Sequence, residues 1–163
     1  MKKNHQTANK IEAPKNKLKR VLSPKELARV KAIVSRPVVS HDNIVRAVAS
    51  HLDSHNYEVH LNVDGKRCAH VNGNYPDILM TERGTMRVQF ILEVATAKDL
   101  TVCNAEYKWK KYASEISATP CIVVPKSAEI KAHKLCRRVG VNTRLATYDV
   151  DTTGNISFTF NND

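Results

Sequence analysis

The run Cys121-Ile122-Val123-Val124 is apolar at every position. Successive side chains of a strand point to opposite faces, so a strand with no polar position must be buried on both. That predicts a central, parallel strand in a sheet covered by helices on each side. The neighbouring segments supply such helices. Val102, Ala105, Trp109, Tyr112, Ala113 and Ile116 form an apolar stripe that predicts a helix over about 102–117, stopped by Pro120. After the apolar run, Ser127 is read as the cap of a further helix with Ile130, Ala132, Leu135, Cys136 and Val139 inward, closed by Gly140. A strand over 144–150 and a short edge strand over about 154–160 follow.

Upstream, Ser40 caps a helix over about 41–55 whose apolar face is Ile44, Val45, Val48, Ala49 and Leu52. Residues 57–63 alternate with period two and read as a half-buried strand. Asp64-Gly65 has hairpin-turn composition, which suggests a return strand over 66–71. Asp77 to Thr81 and Arg87 to Val94 read as two more strands joined by a turn at 82–85. The order is α-β-β-β-α-β-α-β, which predicts an α/β fold with a mixed central sheet flanked by helices.

Charge is unevenly spread. Residues 1–40 hold 11 Lys/Arg against 2 Asp/Glu, whereas the other 123 hold 15 against 14. This predicts a basic arm over 1–36, with a helix at about 24–35 started by Ser23-Pro24-Lys25-Glu26, and a nearly neutral domain over 37–163. Such arms bind nucleic acid because neutralised phosphates release counterions. Lys15, Lys17, Lys19 and Arg20 are the candidate phosphate contacts, and the plainer reading is a solubilising tail. Four scattered cysteines form no CxxC pair, so a zinc knuckle is not expected. No apolar run is long enough to span a bilayer, and the polar start has no secretory h-region. A cytoplasmic, reducing compartment is the expectation. The 5 glycines include no phosphate-cradling loop or Gly-x-Ser-x-Gly elbow.

Two carboxylates stand out. Asp77 follows Pro76 at the start of one strand, and Glu93 comes 16 residues later, after Phe90-Ile91-Leu92. A carboxylate at the end of such an apolar strand is costly without a cation or donor. Two acids on adjacent strands can share a hard divalent ion, since Mg²⁺ prefers oxygen ligands and keeps several waters.

Pro76-Asp77-Ile78-Leu79, Ile91-Leu92-Glu93-Val94-Ala95-Thr96, the helix from Ala105 to Tyr112, and Ile122-Val123-Val124-Pro125 together resemble the PD-(D/E)XK, or restriction-endonuclease-like, nuclease superfamily. The resemblance covers about residues 41–150 and implies an αβββαβ core. It implies that Asp77, Glu93 and the carbonyl of Val94 hold Mg²⁺, or Mn²⁺ in its place, and that the metal activates a water for phosphodiester cleavage. The family usually places a lysine two residues after the glutamate. Here that position is Ala95, as in a variant of the Glu-Val-Glu-Thr strand that also lacks the second acid. Lys108 on the next helix is the favoured substitute and Lys98 the second candidate; each is also readable as a surface lysine.

Gln89 shares a face with Ile91 and Glu93 in a regular strand and is a candidate for contact with water or DNA. Lys111 is a further candidate nucleic-acid contact. Asp42 can add an acid or simply favour its helix N-terminus. His51 and His55 sit at i, i+4 but lack partners for zinc, and His60 and His70 can meet across a hairpin. Trp109 and Tyr112 read as core rather than base-stacking residues. The expected function is a Mg²⁺-dependent nuclease acting on DNA, or on RNA; a homodimer is implied by the resemblance alone. The alternatives are a catalytically degenerate nucleic-acid-binding subunit of the same fold and a structural component of a nucleoprotein assembly.

Overall fold

The computed structural model describes residues 23–28, 38–115 and 117–160. The chain divides into two units, Met1–Val34 and Ser35–Asp163. In the first, the expected capping box forms: the Ser23 N–H donates to Glu26 Oε2 at 2.8 Å and the Glu26 N–H to Ser23 Oγ at 3.2 Å. The rest of the expected 24–35 helix, and Lys15, Lys17, Lys19 and Arg20, lie outside the described residues.

The second unit opens with helix α1 (His41–Ala49), whose first turn is closed by the Asn43 N–H donating to Ser40 Oγ at 3.2 Å. Strands β1 (Tyr57–Leu61), β2 (Ile78–Glu82) and β3 (Val88–Val94) follow. Helix α2 then runs from Val102–Asn104 through a π-helical turn at Ala105–Trp109 to Lys110–Glu115. Strand β4 (Thr119–Pro125), a 3₁₀ turn (Lys126–Ala128), helix α3 (Glu129–Val139), β5 (Arg144–Val150) and β6 (Ile156–Phe160) complete it. The six strands lie in chain order, β1 to β6. β4 is parallel to both β3 and β5, and the other pairings are antiparallel. An α/β architecture with a mixed sheet is therefore what the chain adopts.

Alternation along β4 assigns the two cores. Cys121 and Val123 face α1, joining Ile44, Val45, Val48, Ile78, Met80, Leu92 and Val94. Ile122 and Val124 face α2 and α3, joining Trp109, Leu135 and Val139. α1 also packs on both outermost strands, β1 and β6. A nine-residue helix is about 13 Å long, while six strands span about 24 Å. The sheet must wrap around α1 for both edges to reach it.

Several expectations need correction. No strand forms over 66–71; residues 62–76 are a long loop with only an isolated bridge, Val71 to Asn74. Asp64 and Gly65 do take the positive φ of a hairpin turn (57° and 69°), but the chain after them turns to β2 instead of pairing with β1. α1 is shorter than 41–55, and His51 lies past its end, turned back onto the Ala47 carbonyl at 2.8 Å. Ser127 does not cap α3, because the 3₁₀ turn intervenes and Ala128 occupies the cap position. Ile130 is 73% exposed, since a residue two before Ala132 lies on the opposite side of the helix. Gly140 does close α3 at φ 70°, with the Val141 N–H donating to the Cys136 carbonyl at 2.9 Å. Among the described residues no helix is long and apolar enough to cross a membrane.

Candidate functional site

Asp77 and Glu93 meet through strand register. Ile78 pairs with Leu92, so one step further along the antiparallel ladder Asp77 stands opposite Glu93. Directly opposed residues have Cβ atoms about 5 Å apart. Asp77 is anchored by its Oδ2, which accepts the Val94 N–H at 2.8 Å. Glu93 lies on the α2 face with its side chain only 6% exposed. Lys108, lifted out of the π-helical turn, places Nζ 2.5 Å from Glu93 Oε1. π turns of this kind displace side chains from the regular helical register and recur at functional sites. Lys108 thus occupies the expected place and Lys98 does not: Lys98 is exposed on the loop after β3, and its charge bears on Asp99.

Electrostatics single out Glu93. Burial first, and the charge of Asp77 second, push its carboxyl up from 4.5 to about 7, against the opposing pull of Lys108 and His41. Its Oε2 is buried with no hydrogen-bond partner among the described residues. Such an orphaned oxygen is costly and calls for a cation or donor. Burial opposes the charge of Lys108 as well, but Glu93, Asp77 and Asp99 outweigh it and hold the ammonium above its ordinary value. Tyr112, buried on α2, is raised mainly by burial and then by Glu93 and Asp77.

His41, the first residue of α1, is a site residue that the sequence did not reveal. Its Nε2 donates to the Val94 carbonyl at 3.0 Å and lies 3.4 Å from Asp77 Oδ2. Its Nδ1 lies 3.3 Å from Asp42 Oδ1. Both ring nitrogens face acceptors, and only the imidazolium donates from both. The hydrogen bond to Asp77 is the largest of the causes that raise its pKa from 6.5 to about 9. Asp42 takes the Asp64 N–H at 2.8 Å and orients His41 rather than joining the acid pair. The available signal was Ser40, which as the α1 cap fixes His41 at the helix entrance.

Gln89 is placed differently from the regular-strand expectation. Met80 pairs with Phe90 and Thr81 with Val88, which leaves Gln89 as the extra residue of a β-bulge. Val88 takes the position beside Ile91 on the α2 face, and Gln89 lies on the order of 10 Å from Glu93 along the strand. Lys111 is exposed on α2. Trp109 and Tyr112 are core residues, 1% and 4% exposed. His60 bonds Thr81 Oγ1 at 3.1 Å and does not meet His70.

Two carboxylates and a carbonyl are hard oxygen donors, and the orphaned Glu93 Oε2 is the atom that a cation would satisfy. Among the described residues no cluster of three or more His, Cys, Asp or Glu side chains is arranged to hold a metal. Two carboxylates would suit only an ion that takes few protein ligands and keeps its waters, as Mg²⁺ does. The Val94 carbonyl, the third expected ligand, is engaged by His41. Beside His41, a cleft of about 560 Å³ opens between Ser40, Thr96, Lys98, Asp99 and Tyr148; Asp77 and Glu93 do not line it. A larger cleft of about 1100 Å³ lies at the opposite end of β4, near Thr119 and Arg144; among the described residues Asp53 is the one acidic residue lining it. Chemistry, not size, therefore makes Asp77 and Glu93 the candidate site.

No protein-family model, curated protein or solved structure matches this chain. The functional reading therefore rests on the site itself.

Proposed function

We propose that the chain is a Mg²⁺-dependent nuclease of PD-(D/E)XK type that hydrolyses DNA phosphodiester bonds. The observation that carries this reading is the Lys108 ammonium on Glu93, across from Asp77, supplied by α2 where the strand has Ala95. A bound divalent ion would supply an acidified water and neutralise charge on the phosphate. Asp77 and Glu93 would hold that ion. Lys108 favours the charged form of Glu93 and, half exposed, retains donors for the attacking water. The basic arm would hold the nucleic acid, and a homodimer and a cytoplasmic setting belong to the same proposal.

One observation favours the second reading, a nucleic-acid-binding subunit without catalysis. His41 and Lys108 already neutralise the acid pair, and His41 covers the Val94 carbonyl. Incubation with plasmid, single-stranded and branched DNA in Mg²⁺ or Mn²⁺ separates the two. Cleavage that falls at least about a hundredfold in Asp77→Ala, Glu93→Ala and Lys108→Ala supports the nuclease. Equal product from wild type and the acid variants refutes it, and salt-dependent binding without cleavage supports the second reading.

A further inference from the structure

The loop at residues 62–76 carries an aromatic and basic surface beside the acid pair, and the proposed cleavage chemistry makes no use of it. Arg67 lies over the Tyr75 ring, its guanidinium carbon 5.1 Å from the centroid. His70 stands against the same ring at 5.6 Å, tilted by 55°. Lys66 and Arg67 are exposed, and Tyr75 remains 39% exposed. An exposed aromatic ring with a guanidinium over it is a stacking platform for bases next to a phosphate-binding charge.

The surface is held in place. Asn62 donates from Nδ2 to the carbonyls of Ala69 (2.7 Å) and Pro76 (2.6 Å), and its Oδ1 accepts the Ala69 N–H at 3.0 Å. Its backbone N–H donates to the Asp77 carbonyl at 3.0 Å. Pro76 is fully buried between the exposed Tyr75 and Asp77. The loop starts against α1, where Asp64 bonds Asp42 and Arg46, but Val71 packs with Ile91 and Tyr112, which puts its later part on the α2 face, the face of Glu93 and Lys108. One residue, Pro76, separates Tyr75 from Asp77, a span of at most about 7 Å between their Cα atoms.

We infer that Tyr75, flanked by Arg67 and His70, binds an unpaired base of a nucleic-acid strand and, with Lys66, its phosphate, and so presents the neighbouring phosphate to Asp77 and Glu93. The substrate is then single-stranded or locally unpaired nucleic acid, because a base inside a duplex cannot offer its face to Tyr75. This deepens the nuclease reading, and its binding step is measurable apart from cleavage.

The test uses the full chain in EDTA with a labelled single-stranded oligonucleotide, a blunt duplex of the same sequence, and an RNA strand that distinguishes the two sources of unpaired bases. Fluorescence anisotropy reads affinity, and 2-aminopurine emission reads stacking. Wild type is expected to prefer the single strand and to quench 2-aminopurine. Tyr75→Leu, which keeps side-chain bulk, is expected to lose the quench and about tenfold or more in affinity, while Tyr75→Phe retains both. Arg67→Met is expected to flatten the salt slope by about one ion. Unchanged binding and quenching in Tyr75→Leu, or equal affinity for the duplex, overturns the inference and leaves the nuclease proposal standing. Tyr75-dependent binding with no cleavage on adding Mg²⁺ upholds the inference and overturns the nuclease proposal.

Discussion

Replacing Glu93 by glutamine isolates the electrostatic stress at the acid pair. Glu93 is faced by Asp77 just ahead of β2, by Lys108 and Tyr112 from α2, and by His41 from α1. Its carboxyl stands at about 7 in the folded chain against an ordinary 4.5. A raised carboxyl contributes stability that is complete below 4.5 and lost as pH rises through 7. At about 1.4 kcal/mol per unit, the full loss is on the order of 3 kcal/mol, of which about 2–3 falls between pH 5 and 8.5. Glu93→Gln removes this titration. The pairing with Lys108 adds no separate contribution, because its downward pull is already contained in the value of about 7. The variant should therefore gain about 2–3 kcal/mol relative to wild type on going from pH 5 to 8.5. Urea unfolding in EDTA, followed through the emission of the single buried tryptophan, Trp109, measures it. A difference between the two proteins that stays constant from pH 5 to 8.5 refutes the claim that Glu93 is stressed.

Two further outcomes test the neighbouring features. The imidazole of His41 should titrate near 9 by NMR; its charge contributes stability that is full below 6.5 and lost as pH rises through 9, so His41→Gln should cost more at pH 6 than at pH 9.5. The side chain is 37% exposed, so solvent screening limits that difference to about 1 kcal/mol, and a midpoint near 6.5 would show that the hydrogen bond to Asp77 does not form. Removal of residues 1–36, which contain 11 Lys/Arg, should weaken DNA binding and flatten its salt dependence by about 0.9 for each phosphate the arm neutralises, and an unchanged slope would make the arm a solubilising tail.

The parts of the fold that were legible in sequence are those where one face decides everything. The apolar run in β4 and the Gly140 cap needed no knowledge of distant partners, and both stand as expected. That Asp77, Glu93 and Lys108 lie together was legible from two strands joined by a turn and followed by a helix; the roles given to them come from the resemblance. What stayed hidden depended on backbone irregularity or on distant pairing. The bulge at Gln89 and the π turn around Lys108 each add or shift a residue in a way that periodicity cannot register. The 66–71 strand failed because β1 pairs with β2, across a loop stapled by Asn62. His41 was hidden because its role depends on a carbonyl 53 residues away.

The packing of α1 on both edges of the sheet bears on the order of assembly during synthesis. Strands that neighbour each other in sequence also neighbour each other in the sheet, so each can join as it leaves the ribosome. α1 is the exception. It emerges before every strand, yet part of its cover, Ile156 and Phe158 of β6, arrives last. The helix that carries His41 to the Asp77 and Glu93 pair is therefore fully seated only when β6 closes over it. Shortening the chain before β6 would loosen a cluster that stands more than 60 residues upstream in the sequence, and nascent chains would reach the complete arrangement of charges only after synthesis has passed residue 160.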